Sequence, residues 1–172
     1  MSWIDNTGLL RQFGKEKGVV GIGGDYNVLG PQHVVEFRID LTALKDDPTT
    51  LVDGQAQGIV DKRTILPEGA FIEEIEVFTA AAATSTGSSA ALNIGVVDND
   101  WASNDDEDAL IDAAAIAVYG TIGNQVKYTQ GSTAHGILVG TVLTKPLYVT
   151  ASYDTEAFLT GALDVRIKYN MN

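Results

Sequence analysis

Cysteine is absent from the 172-residue chain, and methionine, tryptophan and histidine occur only twice each. The lack of cysteine excludes disulfides, thiolate metal sites and cysteine nucleophiles. No apolar run reaches the roughly 18 residues that a membrane-spanning helix needs. The first residues show no basic region followed by an apolar core, so we expect neither a secretory signal nor a membrane span.

Basic residues are scarce, because 11 lysines and arginines stand against 23 aspartates and glutamates, for a net charge of −12. Nucleic acid and anionic lipid are recognised by basic surfaces, so neither is an expected partner. The 45% apolar content argues against general disorder. This length suits one domain that buries roughly 70% of the surface its unfolded chain exposes.

Residues 1–32 differ from the rest of the chain, since they contain seven glycines and apolar residues without a clear period. Glycine loses more backbone entropy on ordering than other residues do, which disfavours regular structure here. A solvated tail would have little use for Trp3 and Phe13. We therefore predict an extended N-terminal arm over residues 1–32 that orders against a partner or a neighbouring subunit, followed by a β-sandwich over residues 33–172. A flexible tail, or a loose flap over its own domain, is the alternative.

Residues 33–41 and 163–169 alternate between apolar and charged side chains. This period is typical of strands with one buried and one wet face. If the two strands pair antiparallel, one register places Arg38 opposite Asp164 and Glu36 opposite Arg166. Such charge pairs contribute only ~0.2–1 kcal/mol each, so they favour this register without imposing it.

Further strands are predicted between these two, with turn residues separating them. The segments are residues 71–79, 91–97, 136–143 and 147–153, with weaker signals at 60–66 and 118–122. Seven or eight short strands predict an all-β fold, an antiparallel β-sandwich of jelly-roll-like type. We expect one short inserted helix over residues 104–115, where Asn104 can cap, Glu107 follows three residues later and alanines favour propagation.

Catalytic residues are not apparent. His33 begins a strand on its apolar side, and His135 lies in a glycine- and hydroxyl-rich loop without a G-x-S-x-G nucleophile elbow. The glycines of residues 21–26 end in Tyr26, where a dinucleotide-binding loop needs glycine. We therefore expect no enzymatic activity and no small-molecule substrate.

Seven acidic residues fall within residues 98–112, with no basic side chain among them. Calcium takes six to eight oxygen ligands, and Asp98 and Asp100 offer the first of them, but the later positions do not match an EF-hand. We interpret the segment as a solvated, helix-capping loop and predict no cofactor, with a weak calcium site near Asp98 and Asp100 as the alternative. Trp101 is either a packed anchor or an interface residue.

Residues 65–77, followed by a turn of small residues and by residues 91–98, resemble small structural proteins of tailed bacteriophages. Residues 109–112, 146–153 and 165–169 extend the resemblance, which covers about residues 60–170 and leaves the arm outside. The pattern is similar to that of capsid decoration (cement) proteins. These are β-sandwich subunits that often sit as trimers on the outer shell and bridge neighbouring capsid proteins.

The resemblance implies a virion structural protein, made in the host cytoplasm and located on the capsid surface. It implies a homotrimer that binds the major capsid protein and stabilises the head. The expected contact residues lie in the arm: Trp3, Leu9, Leu10 and Phe13, with Arg11, Lys15 and Lys17 as charge partners. A carbohydrate- or receptor-binding sandwich, and a tail or connector protein of the virion, remain as alternatives.

Overall fold

The computed structural model describes residues 32–44, 64–98 and 106–171 in full, together with the backbone of three short strands at residues 2–4, 10–12 and 25–26. The strands are β1 Ser2–Ile4, β2 Leu10–Gln12, β3 Asp25–Tyr26, β4 Gln32–Asp40, β5 Ile65–Leu66, β6 Ala70–Ser85, β7 Ala91–Val97, β8 Asp106–Ala115, β9 Gln125–Thr129, β10 Leu147–Asp154 and β11 Phe158–Met171. Two 3-10 helices span Leu41–Ala43 and Ile116–Tyr119. Neither helix in the described ranges has the length to cross a membrane.

Two antiparallel sheets form the sandwich. The five-stranded sheet has the order β3-β4-β11-β6-β9, and the four-stranded sheet has the order β5-β10-β7-β8. Apolar residues from both sheets form one buried cluster, which includes Ile75, Val165 and Ile167 of the first sheet and Leu92 and Ile94 of the second. The prediction of an all-β antiparallel sandwich is confirmed.

The predicted pairing of the two alternating strands is also confirmed. β4 and β11 are antiparallel neighbours, with Arg38 opposite Asp164 and Glu36 opposite Arg166. The register is fixed by burial, because shifting it by one residue would turn the buried Ile39 and Val165 towards solvent.

The helix expected within residues 104–115 is wrong, because residues 106–115 form strand β8. Every residue of its neighbour β7 is buried, so the backbone groups of β7 need strand partners on both sides. β10 supplies one partner and β8 the other. The capping residues and alanines of β8 favour a helix only through local interactions. The backbone hydrogen bonds that β7 requires outweigh them.

β8 is irregular and lies close to its neighbours. Register shifts interrupt its pairing with β7 on both sides of Ile94, and Ala113 has a positive φ of 47°. The Ala113 N–H donates to the Asn93 side-chain oxygen at 2.7 Å. A Cβ on Gly95 would lie 2.1 Å from the Asp106 carbonyl oxygen, so only glycine permits this approach.

The remaining strand predictions vary in outcome. The strand predicted at 91–97 has the observed bounds, and that at 71–79 extends to Ala70–Ser85. The strand predicted at 118–122 is wrong, since a 3-10 helix ends at Tyr119, and β9 was missed. Of the segment 60–66, residues 60–63 lie outside the described residues.

The strand predicted at 136–143 is likewise not formed. Gly140 adopts a positive φ of 85°, which interrupts an extended conformation. The segment nevertheless lies beside the start of β6, where the Gly140 and Leu143 amides donate to the carbonyls of Ile72 and Ala70. It therefore covers that part of the sheet edge without being a regular strand.

The predicted division into an arm at 1–32 and a sandwich at 33–172 remains a prediction. The backbone shows that β1 pairs with β2 as a separate two-stranded sheet. β3 pairs with β4 through Asp25 opposite Val34 and Tyr26 opposite His33. Through β3, the N-terminal part of the chain therefore joins the edge of the five-stranded sheet.

Candidate interaction surface

The solvent-facing side of the five-stranded sheet, called the outer face below, carries an ordered array of charges. The register aligns four side chains in one row across four strands, in the order Glu36, Arg166, Glu76 and Lys127. Acidic and basic groups alternate along this row, so each lies beside a group of opposite sign. Four of the five described lysines and arginines lie on this face, namely Arg38, Lys127, Arg166 and Lys168.

Glu76 is buried although it points away from the core, with a relative exposure of only 4%. Its carboxylate lies 2.5 Å from the Lys127 Nζ and 3.0 Å from the Lys168 Nζ. The Gln125 amide also donates to it at 3.2 Å. Long neighbouring side chains thus cover the carboxylate and supply its hydrogen bonds.

The pKa values in this cluster follow from its geometry. Desolvation by itself would raise the pKa of Glu76, but the hydrogen bonds and charges of Lys127 and Lys168 outweigh it and hold the pKa below its usual value. Hydrogen bonding to Glu76 raises the pKa of Lys127, and hydrogen bonding to Glu74 raises that of Lys168. The cluster is therefore fully ionised at neutral pH.

Beside this cluster, an open groove of about 450 Å³ crosses the outer face. The Arg166 guanidinium lies 5.1 Å from the centre of the Phe78 ring and forms an ion pair with Glu36 at 2.5 Å. Arg38 and Asp164 form a longer pair at 3.7 Å, with both side chains more than half exposed. Phe78 also lines this groove.

The acidic strand β8 presents a different arrangement. Hydrogen bonding to Asp106 raises the pKa of Asp108 to about 6, and burial and the Asp106 charge add to the effect. Across the described ranges, every lysine and arginine has a carboxylate partner elsewhere in the fold. Asp108 is thus stabilised in its protonated form by a neighbouring carboxyl and has no cationic partner among the described residues.

The calcium alternative near Asp98 and Asp100 stays a prediction. Asp98 is buried, and its Oδ2 accepts a hydrogen bond from the Lys145 Nζ at 2.6 Å. Asp100 and Trp101 lie outside the described residues. Among the residues that are described, no group of three or more acidic or histidine side chains is placed to hold a metal ion.

Both histidines have structural surroundings. The His33 ring stacks on Tyr169 with 5.3 Å between ring centres. The His135 Nδ1 lies 2.5 Å from the Ser132 carbonyl oxygen, and the Gly131 amide donates to its Nε2 at 3.5 Å. Because backbone groups contact both ring nitrogens, His135 is held as part of its turn.

Of the predicted partner-binding residues, only Trp3, Leu10 and Arg11 are described, and only by their backbone. Trp3 lies opposite Arg11 and Ile4 opposite Leu10 in the β1–β2 pair. Leu9, Phe13, Lys15 and Lys17 lie outside the described residues. Their role in partner binding remains a prediction.

Comparison with known proteins gives structural matches only. No protein-family model and no curated protein sequence matches the chain. One similar structure is a chain of the cyanophage Pam1 capsid asymmetric unit, at 19% identity and a TM-score of 0.48, with 94% of this chain and 95% of that chain covered. Another is a chain of the capsid of Ralstonia phage GP4, at 20% identity and a TM-score of 0.42, with 81% and 84% covered.

Proposed function

We propose that this chain is a bacteriophage virion structural protein, a capsid decoration or cement subunit. In this proposal it binds the outer capsid surface as a homotrimer and bridges neighbouring copies of the major capsid protein. The N-terminal arm makes the attachment, and the sandwich serves as the rigid body that spans adjacent subunits. The sequence resemblance to cement proteins supports this role.

The observation that supports the proposal is the pairing of β1 with β2. Among the described residues, this ribbon belongs to neither sheet of the sandwich and consists of two paired strands of three residues each. An isolated two-stranded ribbon is at best marginally stable in water, so it needs another surface to pack against. A capsid or a sister subunit would supply that surface.

The sandwich has protected sheet edges and exposed apolar side chains, which suit a subunit packed among others on a capsid. The segment 134–138 donates to and accepts from the backbone of β8, which covers that sheet edge. On the edge strand β9, Lys127 places a charge that discourages pairing with a further strand. Ile122 and Ile137 are the most exposed large apolar side chains among the described residues and are available for contact with neighbouring subunits.

Attachment at many equivalent positions would let modest contacts act together. Once one arm of a trimer is bound, the other arms are held near their sites at a raised effective concentration. In a closed trimer with threefold symmetry, all three subunits also make the same contacts with their neighbours. Bridging of the shell then requires no catalytic group.

The test is deletion of residues 1–12, which removes the ribbon and keeps β3. Capsids assembled without this chain are mixed with the full chain or the deletion variant, and the bound protein is quantified after sedimentation. We expect at least a tenfold loss of occupancy with an unchanged melting temperature. Trp3→Ser should reproduce most of the loss and Gln12→Ser little of it, whereas undiminished decoration by the deletion variant would refute the role of the arm.

The oligomeric state is tested separately by size-exclusion chromatography with light scattering. The proposal expects a compact trimer of 18.2 kDa chains. A strict monomer at all concentrations would contradict the homotrimer. It would favour a receptor-binding module or a connector protein as the function of this chain.

A further inference from the structure

The outer face of the five-stranded sheet balances its charges, although the chain as a whole is strongly acidic. Three rows of side chains cross the strands β4, β11, β6 and β9, and together they contain four basic and four acidic groups. In strand order, the rows are Val34, Lys168, Glu74 and Thr129; Glu36, Arg166, Glu76 and Lys127; and Arg38, Asp164, Phe78 and Gln125. Among the described residues, Lys145 is the only lysine or arginine outside these rows. Two copies of this acidic chain therefore meet the least electrostatic repulsion when they approach through this face.

The charged side chains of this face are accessible to a partner. The side chains of Glu36, Arg38 and Asp164 are 48%, 63% and 53% exposed, and that of Lys127 is 50% exposed. The groove of about 450 Å³ lies among them and has Val165 in its lining. The face thus offers both exposed charges and a recess to a second molecule.

A two-fold axis parallel to the strands makes this face complementary to itself. If the axis runs midway between β11 and β6, each row faces the same row of the second copy in reverse order. Glu36 then faces the partner's Lys127, and Lys168 faces the partner's Glu74. In none of the three rows do two groups of like charge face each other.

A two-fold axis perpendicular to the strands lacks this property. Such an axis turns each strand onto the same strand of the second copy. Through the middle row, it would place Glu36 against the partner's Glu36 and Arg166 against the partner's Arg166. Because facing like charges oppose association, the pattern of charges selects the axis parallel to the strands.

The same symmetry brings an aromatic side chain of the partner to the groove. Asp164 and Val165 line the groove, and the residue that faces Asp164 is the partner's Phe78. Phe78 is only partly buried within its own chain. Entry of this ring into the groove of the other copy would remove more of it from water, and it occurs twice in a two-fold contact. Aromatic side chains seated in a recess often dominate the binding energy of an interface.

We propose that the outer face is an interface between two copies of this chain, related by a two-fold axis parallel to the strands. Sheets that pack face to face with nearly aligned strands lie about 10 Å apart. Four short strands present less area than a stable dimer buries, so the association is weak in solution. The contact goes beyond the proposed function, since a two-fold contact differs from those within a threefold trimer and can join chains of neighbouring trimers.

Thiol crosslinking tests which residues face each other, because the natural chain contains no cysteine. In the proposed interface Val34 faces the partner's Thr129, and both are uncharged, so their replacement keeps the ion pairs of the face. Val34→Cys and Thr129→Cys are made as separate full-length variants and are treated singly and as an equimolar mixture with a bismaleimide that spans about 10 Å. We expect crosslinked dimers chiefly in the mixture, joined from residue 34 to residue 129, as read by denaturing electrophoresis and peptide mass spectrometry. Equal crosslinking within the single variants, or none in any sample, would overturn the proposal.

The double variant Val34→Cys with Thr129→Cys distinguishes a two-fold contact from a cyclic one. Within one chain the two positions are three strand spacings apart, about 14 Å, which is beyond the reach of the crosslinker. A two-fold contact makes both links between the same two chains, so the reaction should stop at covalent dimers. Covalent trimers would show that this face forms a threefold contact and would overturn the two-fold arrangement.

The contribution of charge is measured in the same assay. Glu36→Gln, introduced into both cysteine variants, removes two facing charge pairs and should lower the crosslinking yield about fivefold at about 0.1 M salt. Glu68→Gln removes the same charge at an exposed position outside the three rows and is the matched control. At about 1 M salt the yields should fall to one low value, because screening then acts within about 3 Å. A yield that responds neither to Glu36→Gln nor to salt would overturn the charge complementarity on which the interface is argued.

These experiments need no capsids, so the interface and the proposed function fail separately. If the deletion of residues 1–12 still decorates capsids while residues 34 and 129 crosslink, the attachment role of the arm is refuted and the two-fold contact stands. If decoration is lost but the crosslink does not form, the two-fold contact is refuted and the attachment role stands.

Discussion

The outer face of the five-stranded sheet and the strand β8 of the other sheet are both rich in acidic residues, yet they treat these charges differently. On the outer face, Glu74 and Glu76 share two lysine ammonium groups within 3.3 Å. On β8, Asp106 and Asp108 have each other as partners. Carboxylates are thus stabilised by ammonium groups on the outer face, whereas on β8 a neighbouring carboxyl raises the pKa of Asp108.

The difference follows from where the basic residues lie in the sequence. No lysine or arginine occurs between Thr64 and Val126, a stretch that includes β6, β7 and β8. The acids of β6 gain basic partners from the neighbouring strands β9 and β11. β8 is bordered by β7 and by the segment 134–138, neither of which carries a lysine or an arginine.

The largest expected effect concerns how β8 is attached. Gly95→Ala would place a methyl group 2.1 Å from the Asp106 carbonyl oxygen, so β8 must move away from β7. Overpacking of this kind costs roughly 3 kcal/mol, to be measured as the free energy of unfolding in urea. Gly120→Ala is the control, since its nearest neighbour would be 3.7 Å away, and it should change stability by less than about 0.5 kcal/mol. Equal stability of the two variants would show that β8 is not held this closely.

The next effect compares two positions in one row of the outer face. Glu76→Gln removes a buried charge that serves two lysines and should cost about 2 kcal/mol. Glu36→Gln removes a half-exposed partner of Arg166 and should cost less than about 1 kcal/mol. Because the pKa of Glu76 is lowered by folding, its contribution is present above the unfolded value near 4.5 and is lost as the pH falls through the lower folded value. The free energies of unfolding of both variants and of the natural protein are measured at pH 7 and pH 3. If Glu76→Gln and Glu36→Gln lost equal stability at pH 7, burial of Glu76 would not strengthen its interactions.

The smallest effect has the opposite pH dependence. Folding raises the pKa of Asp108 from 3.8 to about 6, so its favourable contribution is present below about pH 4 and is lost as the pH rises through 6. Asp108→Asn should therefore stabilise the protein at pH 7.5, by on the order of 0.5–1 kcal/mol after allowance for solvent screening, and should have little effect at pH 4. Asp112→Asn, on an exposed position of the same strand, is the control. A loss of stability in Asp108→Asn at pH 7.5 would mean that the carboxylate has a cationic partner.

The sequence allowed the terminal strands to be predicted in detail because their signal is local. Alternation in residues 33–41 and 163–169 identifies the buried side of each strand, and opposite charges then favour one register. The same reasoning failed for β8, where Asn104, Glu107 and the alanines all indicate a helix. What makes β8 a strand is the need of a fully buried neighbour for backbone partners, and that need is not visible within residues 104–115.

Of the candidate surface, the pairs Glu36–Arg166 and Arg38–Asp164 were predicted, whereas the Glu76 cluster was not. Alternation marks Glu76 as solvent-facing, and it gives no reason to expect burial. The signal that could have indicated the cluster is the strand Gln125–Thr129, whose Lys127 lies opposite Glu76. That strand does alternate, with Val126 and Tyr128 between polar residues, but it was missed because it has only five residues and follows a turn-rich stretch.

The sequence by itself determined the class of fold, the pairing of the first and last long strands, and the acidic character of the protein, because each of these depends on short-range periodicity or on composition. Only the tertiary structure decided which carboxylates are buried, which strand completes the second sheet and which strand pairs with the start of β4. Those features depend on contacts between residues far apart in the chain, and there the backbone groups of one strand are satisfied by whichever segment the fold places beside it.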